Sequence, residues 1–156
     1  MGVGRRVDPA TLTLQTVYRT ILDDFGLQVG AAIRAIADAD GAVVVHCTAG
    51  KDRTGLVVAL TLVALDVDFP TVAADYTLSQ TNLAGPWATG MLRKVRLFRV
   101  RLTDDLVTII SGAPERELRE TLNWLDEKYG GVVSYLEHVG VGGDVLDRLR
   151  LRLALP

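Results

Sequence analysis

Apolar residues return every three or four positions along much of the chain. Leu14, Val17, Tyr18, Ile21, Leu22 and Phe25 share one helical face, which predicts a helix over 11–25, ended or bent at Gly26. Val29, Ala32, Ile33 and Ile36 repeat the spacing and predict a second over 27–39, with Ala39-Asp40-Gly41 as its stop signal. The pattern then changes. Residues 42–46, Ala-Val-Val-Val-His, are β-branched and apolar without alternation, which predicts a strand buried on both faces, as in a parallel sheet. From Leu56 to Val67 almost every residue is apolar, and a helix with no polar face is a buried one. Phe69-Pro70 breaks that run, and 71–81 reads as helix again with Pro70 at its start. Gly85-Pro86 marks a loop, and 91–102 fits neither period cleanly. Three more helices are predicted over 114–129, 132–139 and 144–153, separated by Gly130-Gly131 and by Gly140 to Gly143.

Composition narrows the class. At 156 residues the chain is the size of one domain, 1–156, with 1–10 expected to be disordered. A net charge of −2 gives it no overall attraction for nucleic acid. One cysteine, Cys47, excludes an internal disulfide framework, and two histidines beside it are too few for a Cys/His zinc site, so neither metal nor cofactor is expected. No apolar run is long enough to span a bilayer and no standard signal peptide is visible. A cytoplasmic location is therefore expected, with export by another route left open. Mean hydropathy is +0.25, an apolar load heavy for a domain of this size.

The chemistry sits between the strand and the buried helix, in His46-Cys47-Thr48-Ala49-Gly50-Lys51-Asp52-Arg53-Thr54-Gly55. A short loop curled at a helix N-terminus turns its N–H groups inward and forms an anion nest, reinforced by the helix dipole. Gly50 permits the curl. Arg53 supplies a planar fork for two phosphate oxygens. Cys47 lies at the floor of this nest, where a thiolate is favoured. The same loop thus makes a nucleophile and holds the phosphate it attacks. A nucleotide-binding phosphate loop is excluded: Asp52 follows Gly50-Lys51 where Ser or Thr belongs, and Val45 stands at the first glycine position.

This segment resembles the signature of the cysteine-dependent protein tyrosine phosphatases, His-Cys, five residues, Arg, then Ser or Thr. The inner Ala49-Gly50-Lys51-Asp52-Arg53-Thr54-Gly55 is similar to the atypical bacterial members of that family. Asp75 to Ser79, Tyr129 to Leu136 and Leu146 to Leu153 extend the resemblance. It implies an α/β fold, a parallel sheet with flanking helices, and hydrolysis of phosphotyrosine proteins, with phosphoserine/threonine and phosphoinositides as further substrates. It implies Cys47 as nucleophile, Thr48 to Arg53 as backbone cradle, Arg53 on the phosphoryl oxygens, and Thr54 hydrogen-bonded to the sulfur. His46 would brace the loop from beneath. Lys51 would meet a second phosphate or an inositol headgroup. Asp52 has two readings, a general acid that later activates water, or a partner of Lys51 and helix cap.

The family carries roughly a hundred more residues before this loop, with further strands. The chain is therefore expected to be the C-terminal part of such a phosphatase, mostly helical, with uncovered apolar surface available for self-association. A catalytically impaired phosphate-binding fragment or scaffold is the alternative function. A sulfurtransferase or arsenate reductase is disfavoured by Lys51-Asp52 and Arg53-Thr54. Arg93, Lys94, Arg96, Arg99 and Arg101 place five cations in nine residues. They are either a solvated face or a basic wall that draws anionic lipid or phosphoprotein.

Overall fold

A computed structural model describes residues 12–98 and 101–153. The expected disorder over 1–10, and Arg99, lie outside the described residues. Nine helices occur among those described. In chain order they are α1 (Leu14–Asp24), α2 (Gly26–Asp38), α3 (Asp52–Ala64), α4 (Phe69–Leu83), α5 (Pro86–Leu97), α6 (Asp104–Ser111), α7 (Glu115–Tyr129), α8 (Val132–His138) and α9 (Gly143–Leu153).

Local chemistry sets several of the ends. The Thr13 hydroxyl accepts from the Thr16 amide at 3.2 Å and starts α1. Asp68 does the same for α4 through Thr71 at 3.1 Å, with Pro70 in the first turn. Thr103 caps α6 through Leu106 at 3.2 Å. Gly130, at φ 79°, closes α7 in the left-handed conformation that a side chain would disfavour.

The apolar helix α3 is the centre of the molecule, as its lack of a polar face requires. It packs against α1, α2, α4 and α8, and buries Leu56, Val57, Ala59, Leu60 and Ala64. Tyr18, Leu22, Ile33, Val72, Tyr76, Leu118, Leu125, Tyr135, Leu136 and Leu149 complete the core around it. Two helices come close at Gly30, where a Cβ would stand 2.3 Å from the Val139 carbonyl oxygen.

The protein is mostly helical, and the expected parallel sheet is not formed: no strand occurs among the described residues. Residues 42–46 run into the loop without a ladder partner. Nor are they buried on both faces. Val44 is 84% exposed and Val43 is exposed, while Val45 is half-buried. The physical reason is pairing: a strand needs a neighbour for its N–H and C=O groups, and the described residues offer none. The guanidinium of Arg152 holds the start of this segment through the carbonyls of Ala39 and Gly41.

Candidate active site

The loop after residue 46 is curled. Gly50 takes φ 66°, and the Gly55 amide donates to the Lys51 carbonyl at 2.7 Å as α3 begins. The N–H end of α3 therefore points into the loop, carrying partial positive charge. Burial alone would push the Cys47 thiol up. The Thr54 hydroxyl and the amides of Thr54, Ala49 and Lys51 outweigh it by stabilising the sulfur anion, and bring the pKa down to about 6. The Thr54 hydroxyl is buried and has no hydrogen bond of ordinary geometry, so its approach to the sulfur is a loose one. A thiol with that pKa is about nine-tenths thiolate at pH 7.

Cys47 and Arg53 share a cleft of about 190 Å³ with Thr54 and His46. Its apolar wall comes from Ile21, Phe25, Val29, Val45 and Val57. Arg53 is exposed, and its Nη2 donates to Thr48 Oγ1 at 3.0 Å, which lays the guanidinium back along the loop. Ala49 is half-buried, while Thr48 and Gly50 are exposed. The arrangement presents a readily ionised thiol, loop amides and a planar cation at one cleft. That set suits an oxyanion with tetrahedral substituents.

Two loop residues turn the other way. Lys51, expected at a second phosphate, is 1% exposed. Its Nζ donates to Asp52 Oδ1 at 2.7 Å and to the Gly112 carbonyl at 2.7 Å. The ammonium points into the protein because the half-buried Asp52 carboxylate and the Gly112 carbonyl satisfy it there; only its amide serves the sulfur. Asp52 Oδ1 also accepts from the Tyr18 hydroxyl at 3.2 Å, which lies 2.6 Å from the Tyr76 hydroxyl. Burial above all, together with the neighbouring Tyr76 and Asp52, pushes the Tyr18 phenol far above its ordinary range. Burial does the same to Tyr76. Both phenols stay protonated, so the donors run from Tyr76 to Tyr18 to Asp52. Asp52 does not line the cleft that holds Cys47 and Arg53. His46 is exposed on the cleft, and no hydrogen bond joins it to another described residue. The Lys51 side chain ties the loop to Gly112.

Tyr18 and Gly112 belong to the Lys51–Asp52 network without any motif to announce them, and Tyr76 lies in the Asp75–Ser79 stretch of the resemblance, to which no role attached. Gly55 is the one local signal: a Cβ there would stand 3.2 Å from the Tyr76 ring, so glycine admits the ring against the start of α3. Asp75 and His138 are exposed, whereas Tyr76 and Tyr135 are buried and Trp124 and Tyr129 half-buried. No group of three or more His, Cys, Asp or Glu side chains placed to hold a metal ion occurs among the described residues.

Comparison with known proteins agrees with this geometry. The model of the tyrosine phosphatase family matches residues 4–155. The triple specificity protein phosphatase PtpB of Mycobacterium tuberculosis is 32% identical over 116 residues, which cover 69% of this chain and 42% of PtpB. A tyrosine-protein phosphatase of Nostoc commune is 29% identical over 135 residues, covering 77% of this chain and 42% of that protein. The matched part of the chain thus spans less than half the length of these relatives.

Proposed function

Because the chain belongs to the tyrosine phosphatase family, we propose that it hydrolyses phosphomonoesters through a phosphocysteine intermediate. The observation that carries this reading is a thiol held near pKa 6 in one cleft with a guanidinium fork. Cys47 sulfur attacks phosphorus in line, the phosphorus–oxygen bond to the leaving group breaks, and the leaving oxygen takes a proton. Water then attacks the phosphocysteine and releases inorganic phosphate with the thiolate restored. Arg53 and the loop amides hold the equatorial oxygens and act most strongly on the charge of the transition state. Thr54 supports the departing sulfur in the second step.

Phosphotyrosine proteins are the leading substrate class in this proposal. Phosphoserine, phosphothreonine and phosphoinositides fall within it, since the name of the mycobacterial relative records three specificities. Asp52 is proposed as the proton donor. To serve, its carboxyl must exchange Lys51 and Tyr18 for the leaving oxygen. A cytoplasmic site of action belongs to the same proposal. So does the placing of 42–46 as the loop-bearing strand of a parallel sheet, supported by its unbroken β-branched run and the exposure of Val44. Self-association through that uncovered apolar surface would appear in sedimentation velocity.

One observation favours a second reading, a phosphate-binding fragment with impaired catalysis: Asp52 is tied inward, away from the cleft. Steady-state hydrolysis of p-nitrophenyl phosphate separates the two. The enzyme reading expects turnover that Cys47→Ser abolishes while phosphate binding survives, and a severe loss with Arg53→Lys, since lysine lacks the fork. Turnover remaining in Cys47→Ser, or wild-type rates with Arg53→Lys, contradicts it. Phosphate binding without turnover in the wild-type chain selects the fragment.

A further inference from the structure

The cationic run at the end of α5 belongs to a surface that catalysis does not use. From Tyr76 to Thr103 the sequence contains no Asp or Glu, yet Arg93, Lys94, Arg96, Arg99 and Arg101 fall within it, in a chain of net charge −2. The helix α5 buries none of its residues. Its apolar side chains Trp87, Met91, Leu92 and Val95 are half-buried, on the arc where α6 packs. The opposite arc carries Arg93, Lys94 and Arg96, all exposed. None of these three, nor Arg101, forms an ion pair or hydrogen bond with another described residue.

Two large apolar side chains stand among these cations. Leu97 is 80% exposed and Phe98 is 79% exposed. Leu97 follows Arg93 by four positions and Lys94 by three, so the three share one face of the helix. Free cations alone describe a solvated face or a polyanion site. An exposed Leu-Phe pair beside cations that no described residue pairs describes something narrower. The pair needs an apolar phase and the cations need anions directly above it. The interface of an anionic bilayer supplies both, phosphate and carboxylate at headgroup depth and acyl chain just below.

We propose that the C-terminal end of α5 is a docking surface for anionic membrane, with Leu97 and Phe98 entering the acyl boundary while Arg93, Lys94 and Arg96 engage headgroups. The other end of the same helix pair reaches the phosphate loop: Gly112 lies beside Gly85 and Ala88, and its carbonyl accepts from Lys51 Nζ. The binding itself does not depend on the chain being a catalyst, so failure of the phosphatase reading leaves it standing, and the reverse also holds.

Flotation with lipid vesicles tests it, using the full chain with Cys47→Ser so that no headgroup is consumed. One vesicle set is phosphatidylcholine alone, a second adds phosphatidylserine, and a third adds a phosphoinositide at matched charge. Binding to both anionic sets at 0.1 M salt, and not to the neutral one, is expected. Arg93→Gln/Lys94→Gln/Arg96→Gln lowers the affinity by about 100-fold, at about a tenfold loss or less per cation. Leu97→Ser/Phe98→Ser lowers it by about tenfold or more. Arg93→Lys/Arg96→Lys keeps it, because the attraction is to charge. Absent binding to both anionic sets overturns the proposal, as does equal binding to neutral vesicles. Binding to the phosphoinositide set alone overturns it in favour of headgroup capture by the cleft. Full binding by Leu97→Ser/Phe98→Ser also overturns it and assigns the cations to soluble polyanions such as phosphopeptides.

Discussion

Asp52→Asn removes the one negative charge that the described residues pair with a buried ammonium, and its cost follows from the geometry. Lys51 is 1% exposed and its side chain has two partners, Asp52 Oδ1 and the Gly112 carbonyl, each at 2.7 Å. Asparagine keeps the shape and one acceptor but leaves the ammonium uncompensated. Removing one partner from a fully buried pair costs about 3–5 kcal/mol. The Asp52 side chain is 25% exposed, so water reaches this pair from one side. We expect about 2–3 kcal/mol, just below that range because of this exposure. For a domain of this size that is a fall in Tm of roughly 4–12 °C. Urea unfolding of four proteins tests it: wild type, Asp52→Asn, Lys51→Met and the double variant. Lys51→Met should cost less than Asp52→Asn, because the carboxylate it leaves behind touches water and still accepts from Tyr18. The double variant should be more stable than Asp52→Asn alone, since it removes the stranded charge. Additive losses, or an Asp52→Asn within about 0.5 kcal/mol of wild type, the range of an ordinary surface substitution, would refute a buried Lys51–Asp52 pair. The outcome also governs how activity data are read, because a loss of rate in Asp52→Asn then carries a folding component.

Alkylation of Cys47 by iodoacetamide should rise with pH to a plateau with a midpoint near 6, and Thr54→Val should move that midpoint up; a rate still climbing at pH 8 would mean an ordinary thiol. The folded thiol sits below its value of 9.0, so its ionisation stabilises the fold fully above about pH 9 and ceases to do so as pH falls through about 6. The stability of wild type relative to Cys47→Ser should therefore grow between those limits, and a flat difference would deny the shift. Gly30→Ala places a Cβ 2.3 Å from the Val139 carbonyl oxygen and should cost about 1–3 kcal/mol in urea unfolding; an unchanged midpoint would mean that α2 and the end of α8 are not in contact.

Much of the helical frame was legible in the sequence, because the apolar spacing of α1, α2, α7 and α9 survives folding almost unchanged. The near absence of polar residues after Gly55 marks the rest of α3 as a buried helix, and it buries Leu56, Val57, Ala59, Leu60 and Ala64. The two helices near the basic run were not read. In α5, Pro86 is the first residue of the helix rather than part of a loop, and Gly90 interrupts the period. The helix α6 is eight residues long and rich in β-branched side chains, yet Thr103 with Asp104 and Asp105 is a start signal of the ordinary kind. Residues 42–46 show the opposite failure. Their composition asks for cover on both faces, and composition does not say whether a partner strand is there. At the loop, Cys47, Arg53 and Thr54 come together as the spacing demands, because six residues around a curled turn leave little freedom. The inward turn of Lys51 was illegible, since its partners Gly112 and, through Asp52, Tyr18 and Tyr76 lie far away in the chain.

The central claim is that Cys47 attacks phosphorus. Rapid quenching of the wild-type chain with a radiolabelled phosphotyrosine peptide, followed by peptide mapping at alkaline pH, should place label on Cys47 within the first turnover. Product formed at full rate with no label on Cys47, or label on another residue, would contradict the account.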